Sequence, residues 1–225
     1  MSGVERIARC AVGALVVLLA ACSTAAPAPE WQSSARAALD RAVAAYLGGD
    51  TRVANAEFDL ARRALASTGR ADLVAMAELT RCAARVASLD VGPCDGFEKL
   101  RLDATPAERA YADFLANRLQ AGDVALLPEH HRPFAAGGLS GDAATSALRA
   151  VDDPLARLVA TGVLFQDGRA NPSAIAFAVD TASAQGWRRP LLAWLGVQLA
   201  LAEKAGDSAG AEHLRRRIAL VQDTR

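Results

Sequence analysis

Apolar residues recur every three or four positions along most of this chain, which is the spacing of one face of an α-helix. Between residues 50 and 69 the charged residues fall largely on one side, and the apolar stripe on the other side is Ala54, Phe58, Ala61 and Leu65. After the first 21 residues, no run alternates Val, Ile or aromatic residues with polar ones as a half-buried strand does. The pattern predicts an all-α fold of antiparallel helix pairs.

Glycines, prolines and capping residues mark where these helices begin and end. The strongest start is residues 105–108, because Thr105 can cap, Pro106 suits the first helical position and Glu108 can bond back to the cap. We expect the main helices at 31–47, 51–68, 70–89, 106–121, 142–150, 154–166, 172–185, 190–205 and 207–223. The inward residues of the third helix should be Leu73, Met76, Ala83 and Val86.

Residues 128–141 form the longest stretch without periodicity, and they include two prolines, two histidines and three glycines. They predict an exposed loop between an N-terminal helical half, 31–127, and a C-terminal helical half, 142–225. Two histidines on a helix need a spacing of three or four to face one metal ion. The adjacent His130 and His131 therefore predict a solvated loop without a metal or catalytic role.

The composition excludes some functions and favours others. The chain has 225 residues with 25 basic and 25 acidic side chains, so its formal net charge is zero and no basic footprint for nucleic acid is present. Hydrophobic residues make up 52% but aromatic residues only 5%. Alanine, the best helix former, is about a quarter of the chain. This composition favours closely packed helices and disfavours a nucleic-acid partner.

The chain begins with a basic and then an apolar segment. Arg6 and Arg9 precede an apolar run that ends Leu19-Ala20-Ala21-Cys22. This arrangement resembles the lipobox of bacterial lipoproteins. The resemblance implies that residues 1–21 are a cleaved signal peptide and that Cys22 becomes an acylated N-terminus anchored in a membrane. The alternative is an ordinary cleaved signal or an uncleaved anchor, with Cys22 as a small residue of no special role.

The next segment, 22–30, is small, proline-bearing and without apolar periodicity, so it predicts a flexible tether. Ser23, rather than Asp, follows the acylated cysteine of the lipoprotein pattern. The resemblance then implies export to the periplasmic face of the outer membrane, with retention in the inner membrane less favoured.

Two cysteines remain in the mature chain, Cys82 and Cys94, and an exported protein meets an oxidising compartment. A turn at residues 91–93 could fold Cys94 back beside the end of the helix that carries Cys82. We expect a disulfide between them, with two buried thiols as the alternative. A metal site is a poorer prediction, because no histidine or second cysteine pair lies nearby in sequence.

Two helix pairs share a turn signal and small residues at similar spacing. Ala54, Phe58 and Ala61 follow the Gly-Asp turn at 49–50, and Ala211 follows the Gly-Asp turn at 206–207. This pattern resembles the second helix of a tetratricopeptide repeat, in which small residues allow close helix pairing and a large one fills the groove. The resemblance implies a tetratricopeptide-like helical array, with an irregular helical bundle as the alternative.

No catalytic, cofactor-binding or metal site is predicted. His213 lies among charged residues and is expected at the surface, and the consecutive Arg215, Arg216 and Arg217 splay around a helix without forming one patch. The acids most relevant to a hydrolase are each expected on a solvated helix face: Glu57, Glu78, Glu98 and Glu108.

The sequence therefore predicts a lipid-anchored, non-catalytic helical scaffold that binds a protein or peptide in a groove. One alternative is a cell-envelope hydrolase, which would need a carboxyl group of raised pKa facing a second acid in a cleft. Another is a carrier of small apolar ligands, whose cavity would be lined by Phe177, Trp187 and Trp194.

Overall fold

The computed structural model describes residues 29–135 and 137–223, and within these ranges the chain is helical without any strand. The predicted all-α class is confirmed. The signal peptide, Cys22 and almost all of the tether lie outside the described residues. The helices are α1 (Glu30–Gly48), α2 (Thr51–Ala66), α3 (Ala71–Ala87), α4 (Asp95–Glu98), α5 (Pro106–Leu115), α6 (Arg132–Ala135), α7 (Gly141–Arg149), α8 (Pro154–Gln166), α9 (Pro172–Ala184), α10 (Arg188–Lys204) and α11 (Ser208–Asp223). Two 3-10 turns, Ala121–Leu126 and Glu129–His131, lie between α5 and α6.

Side-chain caps place several helix starts where the sequence predicts them. The Asp50 carboxylate accepts a hydrogen bond from the Val53 N–H at 2.9 Å and begins α2. Thr105 and Glu108 form the expected capping box at the start of α5. Asp153 and Asn171 cap α8 and α9 in the same way, each directly before a proline. These local bonds satisfy amide groups that a helix leaves without internal partners.

The larger core lies where α3 crosses α8, with α5, α9 and α10 packed around them. Trp194 of α10 is fully buried there, and its indole N–H donates to the Ala87 carbonyl oxygen at 3.1 Å. Gly162 of α8 allows the two helices to approach closely, because a Cβ at that position would lie 2.5 Å from the Val86 carbonyl oxygen of α3. From α8 to α11, each helix packs against the next one along the chain.

The first two helices share a smaller core with α3, made of Ala35, Ala42, Phe58, Leu65, Val74 and Ala77. One arginine of α10 ties this end to the rest of the domain. The Arg189 guanidinium lies 4.2 Å from the centre of the Tyr46 ring and donates to the Tyr46 carbonyl oxygen at 2.6 Å and to the Thr51 hydroxyl oxygen at 2.7 Å.

Two predictions about helices are wrong. The helix expected to reach residue 121 ends at Leu115, because Asn117 adopts a left-handed φ of 52° and the Arg118 N–H bonds back to the Asp113 carbonyl oxygen. Met76 was expected to face inward but is 46% exposed. Met76 lines two adjoining pockets on one flank of α3 instead.

The prediction of an exposed loop at 128–141 is also wrong for its first part. Leu127, His131 and Phe134 are buried, and they attach both 3-10 turns and α6 to the core. Arginine side chains satisfy the backbone of this segment: Arg132 donates to the Leu127 carbonyl oxygen at 2.9 Å, and Arg169 donates to that of Phe134 at 2.9 Å.

Candidate functional site

An apolar groove runs along one flank of α3 and consists of two adjoining chambers. The first, about 310 Å³ in volume, lies between α1, α2 and α3, and its apolar lining is Trp31, Ala35, Leu39, Leu65, Leu73 and Met76. The second, about 350 Å³, lies between α3, α5 and the segment before the second 3-10 turn, and its apolar lining is Met76, Leu79, Ala107, Tyr111, Leu126, Leu127 and Pro128. Met76 and Thr80 line both chambers, so the two adjoin along α3, and together they are called the groove.

The groove presents little unsatisfied polarity to an occupant. The Thr80 hydroxyl donates to the Met76 carbonyl oxygen at 3.0 Å, so its hydrogen is already engaged. At the rim, Arg36 and Asp40 are 3.9 Å apart and neutralise each other, and Glu108 is engaged in the capping box. An apolar ligand would therefore displace water without leaving buried charges unpaired.

A polar cavity of about 330 Å³ lies on the other flank of α3. Arg85 donates to both oxygens of the Asp90 carboxylate, at 3.0 and 3.2 Å, and the Tyr46 hydroxyl donates to the same carboxylate at 3.0 Å. The hydrogen bond from Arg85 holds the pKa of Asp90 below its usual range. Burial, and then the bond to Asp90, raise the pKa of Tyr46 to about 12. The network joins the end of α1 to the loop after α3.

The predicted disulfide is confirmed at the wall of this cavity. Cys82 and Cys94 are bonded, with their Cα atoms 6.0 Å apart, and both line the polar cavity. Arg85 also donates to the Pro93 carbonyl oxygen at 3.2 Å, so the loop that the disulfide closes is held by hydrogen bonds as well. The loop is therefore a fixed part of the cavity wall.

Glu78 corrects the expectation of a solvated acid, because it is only 7% exposed. Its Oε1 accepts a hydrogen bond from Arg62 Nε at 3.1 Å. A Cβ at residue 96 would lie 2.1 Å from Glu78 Oε2, so any other residue there would have to displace the Glu78 carboxylate. The buried acid of this cavity thus faces an arginine, whereas the hydrolase alternative requires it to face a second acid.

The other acids considered for a hydrolase lie apart from one another and in structural roles. Glu57 is bonded to Arg41 at 2.9 Å, and Glu98 is bonded to Arg101 and Arg118 at 2.7 and 2.8 Å. Elsewhere in the described chain, hydrogen bonds from arginine side chains lower the carboxyl pKa of Asp72, Asp90, Glu98 and Asp167.

The residues expected to pack the repeats are all buried, at two separate ends of the domain. Ala54, Phe58 and Ala61 lie between α1, α2 and α3, and Ala211 lies between α10 and α11. The Arg81 guanidinium covers Phe58, 4.8 Å from the ring centre. These positions hold helix pairs together, and only Ala54 and Phe58 border a small cavity beneath α1.

The aromatic residues that would line the cavity of a small-ligand carrier pack in or against the hydrophobic core instead. Trp194 is fully buried and bonded to Ala87, and Phe177 is covered by Arg149 and Arg157, at 4.6 and 5.0 Å from its ring centre. The described residues include no group of three or more potential metal ligands. His213 is exposed on α11, as expected.

The prediction of a solvated loop is wrong for His131. It is 2% exposed, and its ring lies 5.0 Å from that of Phe114 and 5.6 Å from that of Tyr111. Its Nδ1 is buried without a hydrogen-bond partner. Burial, and then the charge of the exposed neighbour His130, lower its pKa to about 3. Leu127, His131 and Phe134 are spaced by four and three residues, as on the buried face of a helix. The pattern is hard to recognise in the sequence because its central residue is a polar histidine.

No protein-family model matches this sequence, and no curated protein and no solved structure matches it significantly. None of the helices within the described ranges is long and apolar enough to cross a membrane. The apolar groove, rather than any relative, is therefore the basis for a functional conclusion.

Proposed function

We propose that this protein is a lipid-anchored protein of the bacterial envelope whose helical domain binds a helical segment of another protein without catalysing a reaction. The observation that carries the proposal is the apolar groove, because two adjoining chambers of about 310 and 350 Å³ lie open to solvent along α3. Met76, the residue shared by the chambers, is 46% exposed, and Leu126 at the far wall is 40% exposed. Concave apolar surface that adjoins in this way is typical of binding sites.

A helical partner suits the groove better than an extended peptide. An extended peptide gains affinity by adding a strand to a sheet edge, and the described residues contain no strand. The groove walls are helices and the segment around Leu127, and neither offers a sheet edge. An amphipathic helix instead offers apolar side chains at positions i, i+3 or i+4 and i+7, which can enter two successive chambers.

The expected affinity follows from the number of anchors. Burying one large aliphatic or aromatic side chain contributes about 1.5–3 kcal/mol, so three anchors contribute about 5–9 kcal/mol before the cost of association is subtracted. The rim charges neutralise each other and add little. We therefore expect weak binding, about micromolar or weaker, which membrane anchoring would assist by holding the protein close to its partner.

The anchor is proposed from the lipoprotein resemblance at Cys22 and the tether-like composition of residues 22–30. The location that follows is the periplasmic face of the outer membrane. Radiolabelled palmitate fed to expressing cells should enter the wild-type protein and not the Cys22→Ala variant. Equal labelling of both proteins would refute the anchor, and it would leave the groove untouched.

The groove is tested by placing a photo-crosslinking amino acid at Met76 in cells and identifying the products by mass spectrometry. The matched control site is Leu102, a 98% exposed apolar residue on the turn after α4. We expect one reproducible partner from position 76 and none from position 102. Adding Leu39→Glu to the chain that carries the crosslinker at position 76 should abolish the crosslinked product, because Leu39 lines the first chamber. Identical products from both sites, or none from position 76, would refute the groove as a binding site.

A further inference from the structure

One wall of the second chamber depends on a buried histidine. The segment 121–135 supplies Leu126, Leu127 and Pro128 to that wall. It is attached to the core through Leu127, His131 and Phe134, and all three side chains are almost completely buried. If His131 left its site, the wall would lose the middle one of its three attachments.

His131 occupies a site that suits an apolar ring. Phe114 and Tyr111 of α5 lie against it, with ring centres 5.0 and 5.6 Å away. The Tyr111 ring also lines the second chamber, so one side chain contacts both the histidine and the groove. The buried Nδ1 has no hydrogen-bond partner, which is rare for a buried polar atom and destabilises the attachment.

Within the described residues, no carboxylate forms an ion pair or a hydrogen bond with His131. On its own segment the neighbours are His130, whose ring centre is 4.3 Å away, and Arg132, which is bonded to the Leu127 carbonyl oxygen. On α5 the facing titratable group is Tyr111, whose own pKa is raised by burial and then by the charge of Asp153 before α8. The charged neighbour that acts on the pKa of His131 is His130, and it lowers that pKa further.

We propose that His131 makes the segment 121–135 an acid-sensitive wall of the groove. When the imidazole is protonated, the segment detaches from the core, the second chamber is lost and the bound helix dissociates. The consequence for a bound helix rests on the function proposed above, whereas the opening of the segment does not. The device would make partner binding depend on the acidity of the envelope compartment.

The size of the effect follows from proton linkage. In the closed segment His131 stays neutral until the pH nears its lowered pKa of about 3. In the open segment it binds a proton below its ordinary pKa of about 6.5. The closed form therefore loses stability as the pH falls below about 6.5, and between pH 7.5 and 5.0 the opening equilibrium rises about 30-fold.

Hydrogen exchange of the full-length chain, followed by mass spectrometry, tests the opening without a partner. After correction for intrinsic exchange, amides of 121–135 should exchange about 30-fold faster at pH 5.0 than at pH 7.5. Amides of α8 should show no comparable acceleration. His131→Phe and His131→Gln remove the titrating group, and in either variant the acceleration should disappear. His130→Gln, at the exposed neighbour, should keep it.

Acceleration that persists in both His131 variants, or its absence from the wild type, would overturn the proposal. Two variants are used because phenylalanine fills the apolar site and glutamine keeps a polar group there. Crosslinking from Met76 at the two pH values then tests the second step. Acid loss of the product in the wild type but not in His131→Phe supports discharge, and equal loss in both contradicts it. If no crosslinked product forms at either pH but the exchange of 121–135 accelerates at pH 5.0 as expected, the binding function is refuted and the acid-sensitive wall is supported.

Discussion

Replacing Gly162 with alanine should weaken the contact between α3 and α8, on which the larger core depends. The added Cβ would lie 2.5 Å from the Val86 carbonyl oxygen and 3.0 Å from Val86 Cγ1. Because the first of these atoms belongs to the backbone, a rotamer change cannot relieve the overlap and the two helices must separate. Overpacking of this kind costs about 1–3 kcal/mol, and we expect the upper end here.

Alanine also favours the helix over glycine by about 1 kcal/mol, which opposes the overlap. The net loss of unfolding free energy should therefore be about 2 kcal/mol, equivalent to a decrease in Tm of about 4–8 °C for a chain of this size. Circular dichroism at 222 nm during heating, together with urea unfolding, measures both quantities.

Gly196→Ala provides the matched control. Gly196 also lies inside a helix, α10, but a Cβ there would meet no atom within 4 Å. Only the helix-propensity term remains, so this variant should be up to about 1 kcal/mol more stable than wild type. If Gly162→Ala matched or exceeded the stability of Gly196→Ala, the close crossing of α3 and α8 would be contradicted.

Three further predictions concern the bonds that hold the helices in place. Thr105→Ala removes the cap of α5 and should cost about 1 kcal/mol in urea unfolding, whereas Thr105→Ser should stay near wild type and an equal loss in both would contradict the capping role. Replacing Cys82 and Cys94 together by alanine should cost about 3 kcal/mol without changing the far-ultraviolet spectrum, and a spectrum of unfolded chain would contradict the hydrogen-bonded loop. Trp194→Phe leaves the Ala87 carbonyl oxygen without its donor and should cost about 2 kcal/mol, and an unchanged urea midpoint would show that this bond contributes nothing.

Local signals predicted the helices well because their causes lie within a few residues. Thr105, Asp153 and Asn171 each precede a proline at the first helical position, and each caps a helix in the structure. The disulfide was also predicted, since a turn at residues 91–93 could fold Cys94 back beside the end of the helix that carries Cys82.

Features that depend on contacts between distant segments were not predicted. Met76 belongs to the apolar stripe of α3, yet no helix covers its end of that stripe, and periodicity alone does not tell a covered face from an open one. Glu78 reads as a surface acid in sequence, because its partner Arg62 and the glycine against which it packs are supplied by other elements. His131 was expected to be solvated, and its burial could not be predicted because the aromatic rings that bury it come from α5.

The alanine content of α1 accounts for the existence of the open surfaces. Three of the four residues that α1 buries are alanines, Ala35, Ala38 and Ala42, and the fourth is Leu47. Alanines allow helices to approach closely but bury little area, and the larger side chains are left at the edges of the contact. Trp31 and Leu39 thus line the apolar groove on one flank, and Tyr46 lines the polar cavity on the other. An α1 that buries mainly alanines therefore leaves the apolar surface of Trp31 and Leu39 available to a partner.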